Sequence, residues 1–370
     1  MATWTVAFEP GINTKDRRLL SAIVEIEAYK RSVLKIPLPP GIKGELDRIN
    51  IIRQIRGTTA IEGNTLTEEQ VSQLVEKGAP KSRAEQEAVN AHRAHDFIVE
   101  WHKTYSDGVM TEELIRTIHR LLTEGIDYDS NAPGEYRRHN VTVGAEYRPP
   151  SHEQLGPLMD DFIEFTNSRE VTQGYGPLLR AVMAHFYLIS IHPFGDGNGR
   201  TSRALEAYVL YSAGYNIRGF YSLSNFYYSN RSEYFEQLNA ARFKHGGCLQ
   251  EFACFALEGF VDELEAIQDR MMEYVVRVVY NDYLDELFRR GLISARCEAL
   301  ATFILAVGAD GVSEVEFRSK RHPVARELYK DHKSLRTIDR DLNSLVTHHL
   351  IQIRDGRIRT DFSYVQSVGE

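Results

Sequence analysis

Apolar positions recur at helical spacing through most of the first 290 residues, which predicts a mainly α-helical chain. A helix is expected over 15–31, followed by a Pro-rich turn at 37–40 and a helix over 45–62 that Gly63-Asn64 stops. Thr67 with Gln70 forms a capping box that opens the next helix. Further helices are expected over 81–103, 111–124 and 152–167, with Thr111 and Ser151 as N-caps and Gln154 completing a second capping box. Residues 177–191 are apolar almost all round, with Leu178, Leu179, Val182, Met183, Phe186, Leu188 and Ile189 spread over every face. A helix without a polar face is a buried one, and Pro177 suits its first turn. His185 within it reads as a satisfied core histidine. Helices follow over 199–213, 230–245 and 249–288.

Two stretches break this pattern. Residues 138–150 are β-like around Gly144 and read as a short hairpin, either an ordinary surface hairpin or an edge to which an extended peptide adds as a strand. Near Gly291 the character changes. An amphipathic helix over 294–307 leads to a turn at 308–311 and a short helix from Ser313. A helix over 335–349 follows, with the stripe Leu335, Ile338, Leu342, Leu345 and Val346, and then a hairpin turning on Asp355-Gly356. Three helices and a hairpin resemble a winged helix-turn-helix. The expected division is an N-terminal helical region at 1–105, a helical core at 106–288 and the winged domain at 289–370.

Charge sharpens that division. The chain has net charge −8, which excludes a nonspecific nucleic-acid coat for the whole molecule. Residues 313–360 nevertheless hold eleven Lys/Arg against seven Asp/Glu. Asp339 and Asp341 on the expected recognition helix oppose phosphate, so DNA binding, protein contacts and dimer packing all remain open for this part. The three cysteines, Cys248, Cys254 and Cys297, match no CxxC spacing and suit a reducing compartment. The first residues lack the basic and apolar regions of a signal peptide, and no uncharged apolar stretch reaches spanning length. A cytoplasmic protein with no membrane partner is expected.

The chemistry concentrates in residues 192–203, His192-Pro193-Phe194-Gly195-Asp196-Gly197-Asn198-Gly199-Arg200-Thr201-Ser202-Arg203. The segment joins one helix to another, unlike the strand-to-helix phosphate loops. Glycines admit close approach of backbone N–H groups to a ligand, and a helix N-terminus favours negative charge. Arg200 and Arg203, three apart, share a helix face. Asp196 suits a hard cation such as Mg²⁺, and His192 can take a proton near neutral pH. Together they describe a cradle for metal-bound polyphosphate with a general base beside it. Upstream, Glu62 ends its helix, where the macrodipole disfavours an acid; it is either a solvated glutamate or one with a hidden partner.

At these positions the chain resembles the Fic family of protein adenylyltransferases, whose pattern His-x-Phe-x-Asp/Glu-Gly-Asn-Gly-Arg-x-x-Arg residues 192–203 match throughout. The resemblance extends over about 10–270 and implies a helical bundle core with 138–150 as its β-hairpin flap; the C-terminal winged helix also occurs in a subset of the family. It implies transfer of AMP from ATP to a Tyr, Thr or Ser hydroxyl of a target protein, or of the chain itself, with release of pyrophosphate. His192 would be the base, Asp196 the Mg²⁺ ligand, and the N–H groups of Gly197, Asn198 and Gly199 an anion hole. Arg200 would face the β- and γ-phosphates and Arg203 the γ-phosphate, while Phe194 anchors the loop. Val143 and Gly144 in the flap would lie beside the nucleotide, as part of the ATP site, and register the target, and Tyr234 and Phe235 would lie against adenine. A downstream Asn of the family has no clear match; Arg242 stands nearby. Thr58-Thr59-Ala60-Ile61-Glu62-Gly63 matches the family's inhibitory pattern, which implies that Glu62 pairs with Arg203 and occupies the γ-phosphate position. Removal of AMP through the same residues, transfer of another phosphate-linked group, and a winged-helix transcriptional regulator that senses nucleotide are the competing readings. Self-association that buries the inhibitory helix is compatible with all of them.

Overall fold

The computed structural model describes residues 5–128, 131–144, 147–331 and 334–363. Helices dominate it. The first three are α1 (Arg17–Lys35), α2 (Pro40–Ile61) and α3 (Glu68–Lys77). They are followed by α4 (Arg83–Thr104), α5 (Glu112–Thr123) and α6 (Leu155–Asn167). α7 (Gly176–Ile191), α8 (Asn198–Ser212), α9 (Ser224–Ser229), α10 (Arg231–Asn239) and α11 (Gln250–Arg289) complete the run. The caps are those the sequence names. Thr67 Oγ1 accepts from Gln70 N at 3.2 Å while Gln70 Oε1 accepts from Thr67 N at 2.9 Å, and Thr111 Oγ1 accepts from Leu114 N at 3.1 Å. α2 starts five residues earlier than expected because Pro40, read as part of a turn, sits in its first turn, where a fixed φ and a missing N–H carry no penalty.

The chain divides into two compact units, Met1–Gln268 and Asp269–Glu370, where three were expected. No division falls near residue 105, since α4 packs against α2, α5 and α8 alike. The other division falls inside α11 and not at its end. In the first unit, α7 and α8 form the closest helix pair, and every residue of α7 from Leu178 to Ile191 is buried. This central pair fixes the loop between them. The expected helix over 230–245 ends at Asn239 and continues as a wider π-type turn over Ala240–Lys244, which carries Arg242 into the interior. A second such turn, Glu170–Tyr175, precedes α7. The 138–150 hairpin reduces to a single bridge between Val143 and Tyr147; Ala145 and Glu146 at its tip lie outside the described residues.

The second unit builds its core from α12 (Ala295–Val307), α13 (Glu314–Arg318), α14 (Pro323–Leu328) and α15 (Arg336–Thr347) with strands β1 (Val312–Ser313), β2 (Ile351–Arg354) and β3 (Arg357–Thr360). The antiparallel sheet runs β1-β3-β2, and the β2–β3 register of Arg354 with Arg357 closes on Asp355 and Gly356, both at positive φ (51° and 68°), as the Asp-Gly signal requires. α14 was not visible in the sequence pattern. On α15 the buried face is Ile338, Asp341, Leu342 and Leu345; Leu335 precedes the helix and is 53% exposed, and Val346 points about 100° away from Leu345.

Candidate active site

α7 ends at His192, which adopts a left-handed conformation (φ 52°), uncommon for a residue with a side chain and frequent where function dictates it. The turn is held from several sides. The side chain of Asn198 bonds both the N–H and the C=O of Phe194 at 2.9 Å, so this Asn side chain folds the loop and leaves only its backbone for a ligand. Phe194 is fully buried and stacks on His119 at 3.7 Å and 4°, the anchoring role expected of it. His119 Nε2 lies 3.0 Å from the Asp196 carbonyl. Burial lowers the pKa of His119 to about 4, so the ring is neutral. Asn131 Oδ1 accepts from Asp196 N at 3.1 Å.

Gly197 then opens α8 at φ 75°, and a Cβ there would fall 2.7 Å from Thr123. The N-terminus of α8, with the N–H groups of Asn198 and Gly199, is a ready place for an anion, whereas the Gly197 N–H, also expected to bind one, donates to Asp196 Oδ1. Asp196, its side chain 45% exposed, accepts from Arg200 at 3.0 Å through Oδ1. A single exposed carboxylate beside an anion cradle is the donor set that Mg²⁺ uses when substrate phosphates supply the remaining ligands, so the residues fit that ion. Arg200 is buried, donates to the Tyr128 hydroxyl and lies 3.8 Å from Glu87.

His192 Nδ1 lies 3.2 Å from the Ile189 carbonyl. A bond in that direction makes Nδ1 the protonated nitrogen and leaves Nε2 as an acceptor. Burial lowers the pKa of His192 to about 4; the Ile189 carbonyl opposes the shift, and the charges of Arg242 and Arg137 reinforce it. The ring is therefore a free base across the neutral range. Arg137 donates to the His192 carbonyl (2.9 Å), the His139 carbonyl (2.9 Å) and the Pro150 carbonyl (2.5 Å), tying the turn at His192 to both ends of the flap.

The second cluster brings together residues 141 positions apart. Arg203 NH2 and Glu62 Oε1 are 2.7 Å apart, with the Arg203 side chain 1% and the Glu62 side chain 38% exposed. Every nitrogen of Arg203 has a partner: Nε donates to Thr58 Oγ1 (3.0 Å), NH2 also to the Thr58 carbonyl (3.0 Å), and NH1 to the Tyr234 hydroxyl (3.4 Å). Burial raises the pKa of Glu62, but the charge and hydrogen bonds of Arg203 outweigh it, and the net shift is downward. Glu62 caps the C-terminus of α2, as expected of a residue that needs a partner there. Gly199 completes the contact, because a Cβ on it would lie 2.3 Å from Glu62 Oε1.

A cavity of about 490 Å³ opens over these groups, lined by Glu62, His192, Gly199, flap residues Val143, Gly144 and Tyr147, and by Phe235, Asn239 and Arg242 from α10 and the turn after it. That volume suits a nucleotide-sized ligand. Of the two aromatics expected against adenine, the structure brings only Phe235 to the cavity. Tyr234 is fully buried beneath Arg203, its hydroxyl 2.9 Å from His185 Nε2, and His185 Nδ1 stands 3.3 Å from Glu206. Successive residues on a helix point about 100° apart, and here Tyr234 turns to the core while Phe235 faces the cavity. His185 is thus a buried core histidine as expected, but only half satisfied: Nε2 is bonded and Nδ1 has no hydrogen-bond partner. Thr58, Tyr128, His119 and Arg137 were missed; of these only Thr58 lay within a motif, and the others act through contacts between distant segments.

Residues 109–210 match the Fic/DOC family model. The chain therefore carries a domain of the Fic/DOC family, the class that the helical fold and the loop between α7 and α8 define. It is 32% identical over 171 residues to a protein adenylyltransferase Fic of Aedes aegypti, covering 44% of this chain and 33% of that protein. It is 33% identical over 169 residues to the one of Drosophila willistoni, covering 44% and 32%. The chain thus spans about a third of the length of these relatives. In fold it is similar to a Fic family protein from Desulfovibrio desulfuricans G20 (TM-score 0.57, 21% identity, 95% of this chain and 98% of that one). It is also similar to residues 134–508 of Fic-1 from C. elegans (TM-score 0.58, 23% identity, 70% and 73%). No helix among the described residues is long and apolar enough to cross a membrane.

Proposed function

We propose that the chain is a protein adenylyltransferase that uses ATP and is held off by its own Glu62. The observation that carries this reading is the shared cavity: a neutral His192, Gly199 in the first turn of α8 and Glu62, itself ion-paired to the buried Arg203, all border one space of nucleotide size. His192 Nε2 takes the proton of a target Tyr, Thr or Ser hydroxyl as its oxygen attacks the α-phosphorus of ATP; the bond to the bridging oxygen of the β-phosphate breaks and pyrophosphate leaves. The backbone N–H groups of Asn198 and Gly199 bind the phosphate oxygens, and Arg200 offsets charge on the β- and γ-phosphates. Mg²⁺ on Asp196 supplies further charge neutralisation when bound. Phe235 lies against the base, and Val143 and Gly144 hold the target segment, which lines up along the 138–150 flap as an added strand. The target is another protein or the chain itself. Incubation of Glu62→Gly protein with labelled ATP tests this: label on the α-phosphate is expected to become protein-bound and label on the γ-phosphate is not. Transfer of the γ-label, or of neither, overturns the reading.

A second contact, with duplex DNA, has its own support in Asp269–Glu370. The sheet order β1-β3-β2 behind α15 is that of a winged helix. Arg336, Arg340, Asn343 and Thr347 are exposed and spaced to share one face of α15, and these are side chains suited to base edges. The two aspartates that spoke against phosphate are engaged internally, Asp341 with Arg296 at 2.5 Å and Asp339 with Arg318. Binding of the full chain to a mixed 30-base-pair duplex library is expected, and Arg336→Ala/Arg340→Ala should weaken it about tenfold or more and flatten its salt dependence. Fluorescence anisotropy at several salt concentrations measures both.

A further inference from the structure

Outside the catalytic cavity, one turn of α4 carries His92, His95 and Asp96 on one face. Each offers a ligand atom, and these atoms lie within 4.8 Å of one another. Asp96 Oδ1 is 3.1 Å from His95 Nδ1 and 3.7 Å from His92 Nε2. Two ligands of a tetrahedral zinc, at about 2.0–2.2 Å from the metal, stand about 3.3 Å apart, so the spacing of these atoms is close to that of a coordination face. The two imidazole rings are nearly parallel, 17° apart with centroids 6.0 Å from each other, as neighbouring ligands one helical turn apart are.

We propose that His92, His95 and Asp96 form a binding site for a borderline divalent cation of the Zn²⁺ type, distinct from the Mg²⁺ position at Asp196. Two imidazoles and a carboxylate are a nitrogen-rich donor set that favours Zn²⁺ over Mg²⁺. The Asp96 side chain is 62% exposed, which leaves the outer side open to a water as fourth ligand.

An independent observation concerns the other nitrogen of His95. Nε2 is buried without a hydrogen-bond partner, and His95 lines a small pocket of about 50 Å³ together with Tyr221, Arg200, Arg203 and Thr58. The Tyr221 hydroxyl and Arg200 Nε are likewise buried without partners. Ligation through Nδ1 forces the proton onto Nε2, so a bound cation would set the His95 tautomer as a donor into that cavity, in the way metal-bound histidines orient through their second nitrogen. The site therefore lies one side chain away from the residues that grip Arg203.

The test uses the full chain, titrated with Zn²⁺ alone in the presence of millimolar Mg²⁺ and followed by isothermal calorimetry, with Co²⁺ absorption reporting the coordination number. One tight equivalent with a tetrahedral Co²⁺ spectrum is expected. His92→Ala and Asp96→Asn should each weaken binding about tenfold or more, since each removes one of three protein ligands, while Asp196→Ala should leave it unchanged. Melting temperatures without metal check that the variants fold. Affinity unchanged by His92→Ala and Asp96→Asn, or lost in Asp196→Ala, or an absence of Zn²⁺ binding to the unaltered chain, would each overturn the proposal.

Discussion

Glu62→Gly is expected to raise transfer of AMP from α-labelled ATP to protein at least tenfold over the unaltered chain. A hydrogen-bonded pair with a charged partner is worth about 1.5–3 kcal/mol, and each 1.4 kcal/mol is a factor of ten. The lower end applies because the Glu62 side chain is 38% exposed. The gain depends on what remains after the glutamate is gone. Arg203 keeps its bonds to Thr58 and to the Tyr234 hydroxyl, so its guanidinium stays in place with one edge freed for the γ-phosphate. Arg203→Ala should fail to activate although it breaks the same ion pair, because it also removes the phosphate contact. Measuring the three proteins side by side separates inhibition from catalysis. Equal rates in Glu62→Gly and the unaltered chain would rule out Glu62 as the brake.

His192→Ala in the Glu62→Gly background is expected to lower the rate by about 10²–10⁴, the usual contribution of a positioned general base. ATP affinity should stay within a few fold, since the phosphate contacts come from α8 and its arginines. The pH profile carries a second readout. With a pKa near 4, His192 is unprotonated from pH 8 down to about pH 6, so the rate should be flat over that window with respect to this group and fall only as the pH approaches 4. Stability follows the same groups. His119 and His192 both have pKa values lowered to about 4 from the usual 6.5, so the unfolded chain binds protons between those values while the folded one does not. Stability should therefore decline as pH falls from about 6.5 towards 4, visible as a falling melting temperature. A rate that drops between pH 7 and 6 in the unaltered loop, and not in His192→Ala, would show that His192 titrates near its ordinary value and not near 4.

The loop at 192–203 was legible because its chemistry is local: twelve consecutive residues carry the base, the carboxylate, the glycines and both arginines, and α7 and α8 on either side have unmistakable patterns. The partnership of Glu62 with Arg203 was legible only through a family pattern, since no spacing rule connects positions 141 apart. Tyr234 shows the limit of such transfer. Its neighbour Phe235 reaches the cavity, and Tyr234 turns inward to support Arg203. Arg137 was invisible for another reason. Its value lies in three carbonyl partners at 139, 150 and 192, and carbonyls carry no residue-type signature. The turn at Ala240–Lys244 escaped because a single extra residue in a helix leaves the apolar rhythm nearly intact while rotating everything after it.

Because Glu62 ends α2, a helix packed against α4, α8 and α9, an inhibitor at that position, as proposed, would travel with the fold and have no concentration of its own. Dilution cannot release it, and no excess of a competing peptide is needed to restore it. On the proposed function, ATP would meet a rival whose effective concentration is fixed by the stiffness of one helix terminus. The resting output of the site is then a constant of the sequence, adjustable in evolution by any residue that loosens or tightens the last turn of α2, without touching a single atom that contacts substrate.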